Sequence, residues 1–175
     1  MNEEHSFPNS EVYINNSGLV LLQPYFSTLF ERLELTKENN FINQDAQLKA
    51  VHYLQFLVTG QSQTEEEFLV LNKILCGLEI NTPIPNGIDI STEEVRLMEG
   101  LLEAVIQNWS ILGNQSIEGF RGSFLIREGK LIENENSWNL LVEQKSYDML
   151  IDQLPYSYTP IKISWMEKMV EVNWR

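Results

Sequence analysis

Apolar residues in the first two thirds of the chain recur at the spacing of amphipathic helices. After Pro24, the apolar positions Phe26, Leu29, Phe30 and Leu33 follow the pattern i, i+3, i+4, i+7. Proline fits the first turn of a helix because its missing N–H has no intrahelical partner there. The apolar run just before it, residues 18–22, does not share this period. We therefore predict a buried extended or irregular approach that leads into a helix beginning near Pro24.

Four more helices are predicted by the same spacing and by capping signals. Ser91 and Glu94 have the spacing of a capping box, and Gly60 follows an apolar stripe as a C-terminal stop. The segment that begins at Thr64, the predicted N-cap, is apolar almost all round, which indicates a central position. A loop rich in proline is predicted over 79–90. The helices are expected over about 44–59, 64–76, 91–109 and 116–124.

Beyond Gly129 the apolar period changes to that of strands. Alternation at Trp138, Leu140 and Val142 predicts one hairpin, and alternation over 161–165 and 170–174 predicts a second. A short helix is expected between them over 146–154, and residues 11–15 also have strand propensity. The fold class is therefore α+β, mainly α. It consists of an N-terminal bundle of about five helices and a small C-terminal antiparallel sheet of two hairpins with one short helix.

The length of 175 residues suits one domain. Within it we expect a flexible arm over 1–10, a helical core over 11–128 and a small β-rich subdomain over 129–175 that packs on this core.

The net charge excludes more classes of binding partner than the pattern of apolar residues does. The chain has 12 Lys and Arg against 25 Asp and Glu, a formal net charge of -13. A protein that binds nucleic-acid phosphates or anionic lipids needs clustered Lys and Arg side chains, and this chain has few. We therefore expect neither a nucleic-acid nor a membrane partner. We expect no signal peptide, because no basic segment followed by an apolar stretch opens the sequence, and the apolar runs are far shorter than the ~20 residues that span a bilayer. The single cysteine, Cys76, is expected to be a buried thiol, and synthesis is expected in a reducing cytoplasm.

Candidate chemistry is sparse. His5 and His52 are not part of an HExxH or a His/Cys cluster, and the GxxxxGK[ST], GxSxG and GxGxxG patterns are absent. Carboxylates are abundant, but one sequence does not select an acid–base pair among them. We therefore expect no catalytic residue, no cofactor and no metal site, and an enzyme is the least favoured class.

The four tryptophans are interpreted mainly as core residues, because three fall on strand faces and one on a helical stripe. The alternative is a partner interface, where aromatic residues are enriched. Trp174 is the first candidate, with Trp165 and Val172 beside it. An edge strand at this position could be left open for another subunit.

Several stretches form a distinctive series in a fixed order over roughly residues 12 to 166. They read VYINNSGLVLLQPYFSTLFERLEL, AVHYLQFLVTG, LVLNKILCGLEINTPIP, LLEAVIQNWSILGNQSIEGFRGSFLIREGKL, WNLLVE, DMLIDQLP and IKISWM. The first stretch carries an Asn-Asn pair, a small residue and Gly-Leu-Val-Leu-Leu before a proline and Leu-Phe-Glu-Arg-Leu. Together the stretches resemble one family, the tape measure proteins of contractile injection systems, which are phage-tail-like particles.

The resemblance implies a non-enzymatic part in assembling an inner tube and contractile sheath, and it transfers no catalytic residue. A length ruler must span a tube, whereas helices this short, with 1.5 Å of rise per residue, predict a globule. We therefore expect a compact adaptor, cap or plug at the inner tube. Its expected partners are tube, cap or baseplate proteins, in a symmetric homo-oligomer of three- or six-fold order. The resemblance also implies synthesis in the bacterial cytoplasm and incorporation into a particle that can be released from the cell. The alternative is a chaperone or cargo-loading adaptor for a basic effector.

Overall fold

Strands lie toward both ends of the described chain and helices lie between them, with one very short strand pair after the first α-helix. A computed structural model describes residues 11–175, and the predicted arm over 1–10 lies outside this range. The strands are β1 (Glu11–Ile14), β2 (Thr36–Lys37), β3 (Asn40–Phe41), β4 (Gly129–Glu133), β5 (Ser137–Val142) and β6 (Met169–Asn173). The α-helices are α1 (Phe26–Arg32), α2 (Gln44–Thr59), α3 (Val70–Leu75), α4 (Thr92–Asn108) and α5 (Ile117–Phe120). The predicted class, α+β and mainly α, is confirmed.

The main sheet has four strands in the order β1-β4-β5-β6. The first predicted hairpin is confirmed as β4 and β5, and β1 joins it as an antiparallel neighbour of β4. The second predicted hairpin is wrong, because β6 pairs parallel to β5 and its antiparallel partner shrinks to one bridge between Ile161 and Val170. Parallel neighbours need a crossover of a dozen or more residues. Residues 143–168 supply that crossover, which includes a 3-10 helix at Asp148–Gln153 where a short helix was predicted.

The apolar run before α1 is buried, as predicted, but it is helical rather than extended. Ser17–Tyr25 forms a 3-10 helix with Pro24 inside it, and Leu19 to Leu22 are all fully buried. Gly18 allows this course. A Cβ atom added at this position would lie 1.7 Å from the carbonyl oxygen of Phe124. The backbone of this segment therefore touches the backbone of a distant one, which no side chain would permit.

Helix α2 has the predicted bounds and forms the centre of the molecule. The side chain of Asn43 accepts a hydrogen bond from the Ala46 amide at 2.8 Å, and Gly60 ends the helix in the left-handed conformation at φ 75°. Every residue over 51–58 is buried, including His52 and Gln55. The apolar stripe seen in the sequence therefore underestimates how completely α2 is enclosed.

The third helix is buried over Leu71–Leu75, as its apolar character predicted, but it is shorter than expected. Thr64 is not its N-cap, because a separate 3-10 turn at Glu66–Phe68 precedes α3. The capping box of α4 is confirmed. The Ser91 side chain accepts from the Glu94 amide, and the Glu94 side chain accepts from the Ser91 amide. The helix predicted over 116–124 is shorter than expected: Ser116 caps α5, and a π-helical turn follows at Arg121–Leu125.

One hydrophobic core joins the helices to the inner face of the sheet. It contains Leu54 of α2, Leu102 of α4 and Leu140 of β5, all fully buried. Both segments that the sequence separates near Gly129 contribute to it. The division into a helical core over 11–128 and a small β-rich subdomain over 129–175, packed on that core within one domain, stays a prediction.

Candidate interaction surface

The three residues predicted to form a partner interface are packed within the monomer. Trp174 is 1% exposed and Val172 is 6% exposed. The half-buried Trp165 donates from its indole nitrogen to the Leu75 carbonyl at 2.8 Å and packs against Phe30 and Phe41. The exposed positions beside Val172 are Glu171 and Asn173. A partner contact at this place stays a prediction, and these two side chains are the ones available to make it.

The outer edge of β6 is covered by the chain itself. Ile161 and Val170 exchange two backbone hydrogen bonds of 2.8 and 2.9 Å. The Val172 amide donates to the hydroxyl of Thr159 at 2.9 Å. A strand from another subunit would have to displace residues 159–161 before it could pair with these positions.

Behind β6 lies a fully buried ion pair that the sequence does not signal. Both nitrogens of the Arg127 fork donate to Asp148, at 2.7 and 3.0 Å, and both side chains are completely inaccessible. The Lys145 amide and the indole nitrogen of Trp174 also donate to Asp148, each at 2.9 Å. Burial by itself would raise the pKa of the Asp148 carboxyl. The hydrogen bonds from Arg127, the Lys145 backbone and Trp174 outweigh burial and hold this pKa below its usual value.

A second buried polar cluster joins Asn16, in the first stretch that carries the family resemblance, to residues of α2 and α3. The side-chain amide of Asn16 donates to Gln55 at 2.9 Å and to Asn72 at 2.7 Å. Asn72 in turn donates to the Val51 carbonyl and to Gln55. These bonds tie the 3-10 segment to α2 and α3. The only sequence signal for the cluster was asparagine placed next to an apolar run.

Two more cations are buried, and each has a structural task. Arg121 donates to the carbonyls of Phe56 and Leu57 at 3.2 and 3.0 Å in the last turn of α2, where the Phe56 carbonyl also accepts from the Gly60 amide at 2.8 Å. Lys73 donates to the carboxylate of Glu66 at 2.7 Å and to the carbonyl of Ile80 at 3.1 Å.

This burial makes the surface more acidic than the formal charge suggests. All 12 Lys and Arg lie within residues 11–175, and three of them are buried, which leaves nine. Of the 23 carboxylates in the same range only Asp148 is buried, which leaves 22. The charged side chains at the surface of residues 11–175 therefore sum to -13, against a formal charge of -11 for the same residues. The surface field therefore favours a basic neighbour wherever the charge is not locally reversed.

The side chains of His52 and Cys76 are both buried. The ring of His52 bonds the Pro85 carbonyl, and burial lowers the pKa of this imidazole despite that bond. Burial raises the pKa of the Cys76 thiol. Across residues 11–175 no group of three or more His, Cys, Asp and Glu is placed to hold a metal ion. Over the same residues, none of the helices has the length and apolarity needed to cross a membrane.

Together these features define a small acidic α+β protein whose buried polar groups hold segments of the fold together. The chain belongs to the contractile injection system tape measure protein family, whose family model matches residues 2–174. No curated protein and no solved structure matches it. Membership gives the chain a structural role in a contractile injection system, with partners among the components of that particle.

Proposed function

We propose that this chain is a compact adaptor, cap or plug at the inner tube of the particle rather than a rod that spans it. The supporting observation is the length of its elements. The longest helix is α4, with 17 residues, which corresponds to about 26 Å at 1.5 Å per residue. All helices turn back into one hydrophobic core with the sheet, so residues 11–175 offer no extended element that could measure a tube.

The proposed partners are tube, cap or baseplate proteins. A module that closes the end of a symmetric tube meets a ring of identical sites. A homo-oligomer of matching three- or six-fold symmetry would engage all of them at once.

The first test asks whether the chain measures length. Asn114 is exposed and follows Gly113 in a break between helices, so a flexible Gly/Ser insert there should leave the fold intact. We expect particles that carry inserts of increasing length to keep the same tube length by electron microscopy. A tube that lengthens in step with the insert would contradict the proposal.

The second test is localisation. A short epitope at the same position, labelled with antibody on purified particles, should mark one end of the tube. Label along the lumen, or no label on any particle, would reject an adaptor, cap or plug.

The second candidate is a chaperone or cargo-loading adaptor, which the acidic surface favours. It predicts binding to a basic effector that weakens steeply as salt rises, because exposed charges are screened. It also predicts that the chain is absent from finished particles. Presence in intact, purified particles at a fixed ratio to the tube protein would favour the first candidate instead.

A further inference from the structure

A groove lies between α1 and α4 on the surface of the helical part. Its apolar lining comes from Leu29 on α1 and from Leu97, Leu101 and Ala104 on α4, with the ring of Tyr25 at one side. The two leucines of α4 are only half-buried. The groove has a volume of about 480 Å³, enough for a few apolar side chains rather than a whole domain.

Gly100 lines this groove, and no atom among residues 11–175 lies close enough to require a glycine at this position. It lies inside α4, is exposed, and a Cβ atom added there would meet nothing within 4 Å. Glycine in a helix interior costs roughly 1 kcal/mol relative to alanine. Here it leaves the groove open, and with Ala104 one turn further it lets another backbone approach α4 closely.

The charge of the groove is opposite to that of the rest of the surface. The charged residues that line it are Arg32 and Arg96, and both are exposed. Neither guanidinium lies within 4.0 Å of a carboxylate among residues 11–175, although 22 carboxylates are not buried. A guanidinium binds a carboxylate through two parallel hydrogen bonds, so these two arginines are suited to acidic groups of a partner.

We propose that the groove between α1 and α4 is a docking site for an amphipathic helix of another protein, with apolar residues facing Leu97 and Leu101 and carboxylates facing Arg32 and Arg96. A helix presents apolar side chains one turn apart on a single face, which suits a groove formed by two other helices. The flanking arginines select acidic over basic helices. The excess of carboxylates elsewhere repels an acidic partner, so it is held at this place only.

The test uses the purified full chain and three synthetic peptides, each of about 14 residues. The first has leucines at i, i+3, i+4 and i+7 with glutamates beside them. The second replaces the glutamates by lysines, and the third scrambles the first. Fluorescence anisotropy should show the acidic amphipathic peptide binding at least about tenfold more tightly than either other peptide.

Two sets of variants locate the site. R32E/R96E should weaken binding of the acidic peptide at least about tenfold, and K37E/K145E, which changes the net charge equally, should leave it within about twofold. Lys37 and Lys145 are also exposed cations. Gly100→Trp should block the groove, whereas Gly100→Ala should retain binding, and circular dichroism confirms that both variants fold.

Equal binding of the glutamate and lysine peptides would overturn the proposal, as would binding that R32E/R96E or Gly100→Trp leaves unchanged. Self-association that Gly100→Trp abolishes would also overturn it, because the occupant would then be a second copy of the chain.

Discussion

At the scale of single residues, the buried polar contacts are the part of the structure that sequence reasoning could not reach. Arg127 and Asp148 are 21 residues apart, and nothing near either residue distinguishes them from surface charges. Asn16 lies just before the apolar run over 18–22 and Gly18 begins it, but their partners Asn72 and Phe124 are distant in sequence. The structural tasks of these residues depend on contacts that only the tertiary structure reveals.

Asp148→Asn tests the buried ion pair. The substitution leaves the Arg127 guanidinium buried without a counter-charge, so we expect a loss of roughly 3–5 kcal/mol in the free energy of unfolding. Asp152→Asn is the matched control. It breaks the exposed pair with Arg175, and exposed pairs contribute at most about 1 kcal/mol. Urea denaturation measures both, and equal losses would contradict the structural role of Asp148.

The same carboxylate predicts a response to acid. Its pKa in the folded state lies below the ordinary value, so its contribution is fully present above the ordinary pKa of ~3.9 and is lost as the pH falls through the lower, folded value. We expect wild-type stability to drop below about pH 4 and the drop to be smaller in Asp148→Asn. Denaturation curves between about pH 2.5 and 7 give the comparison. Identical pH profiles of the two proteins would refute it.

Alanine substitutions at two glycines provide a further matched comparison of stability. Gly18→Ala places a methyl group against the Phe124 carbonyl, so we expect a loss of about 3 kcal/mol or more. Gly100→Ala meets no atom within 4 Å in a helix interior, so we expect a gain of roughly 0.5–1 kcal/mol. The thermal unfolding temperatures of the two variants should therefore shift in opposite directions, and an unchanged or raised unfolding temperature of Gly18→Ala would contradict the close contact at Gly18.

At the scale of elements, the sequence predicted those whose signals are local. The bounds of α2, the capping box of α4 and the hairpin of β4 and β5 follow from period, caps and turn residues within each segment. The second hairpin failed because two alternating runs near each other look like partners, whereas β6 found β5 across a long crossover. The predicted interface at Trp174, Trp165 and Val172 assumed an open edge strand, whereas residues 159–161, which lie close to β6 in the sequence, cover that edge.

Arg121 offers a test of how α2 ends. It donates to two carbonyls in the last turns of that helix, and it also pairs with Glu118, whose side chain is 80% exposed. Arg121→Met removes both interactions, and we expect a loss of roughly 2–4 kcal/mol with faster hydrogen exchange in the last turn of α2. Glu118→Gln removes only the ion pair and should cost no more than about 0.5 kcal/mol. A comparable cost for both variants would assign the effect to the ion pair instead.

At the scale of the whole molecule, fold class and family were accessible from the sequence, because both depend on the order of many weak signals along the chain. The distribution of charge over the surface could not be predicted from the sequence, since it depends on which cations are buried. Burial of Lys73, Arg121 and Arg127 removes a quarter of the positive side chains from the surface. The acidic field and the exceptional groove around Arg32 and Arg96 are therefore properties of the folded state.

Compactness has a direct measure. A globule of 175 residues should have a radius of gyration of about 16 Å. Small-angle X-ray scattering, at a concentration where light scattering gives the monomer mass, should return this value. A markedly larger radius at the monomer mass would indicate an elongated molecule and would remove the main support for an adaptor, cap or plug.

The strand order also governs how the protein can be made. β1 is synthesised long before its neighbour β4, and β5 must wait for β6. At ~5–20 residues per second, the nascent chain holds unpaired strand edges and the apolar 3-10 segment outside the ribosome for several seconds. A cell that assembles these particles must therefore protect the unfinished polypeptide from aggregation. We expect the yield of this folded protein to depend on general chaperones more than the yield of a helical bundle with local contacts does.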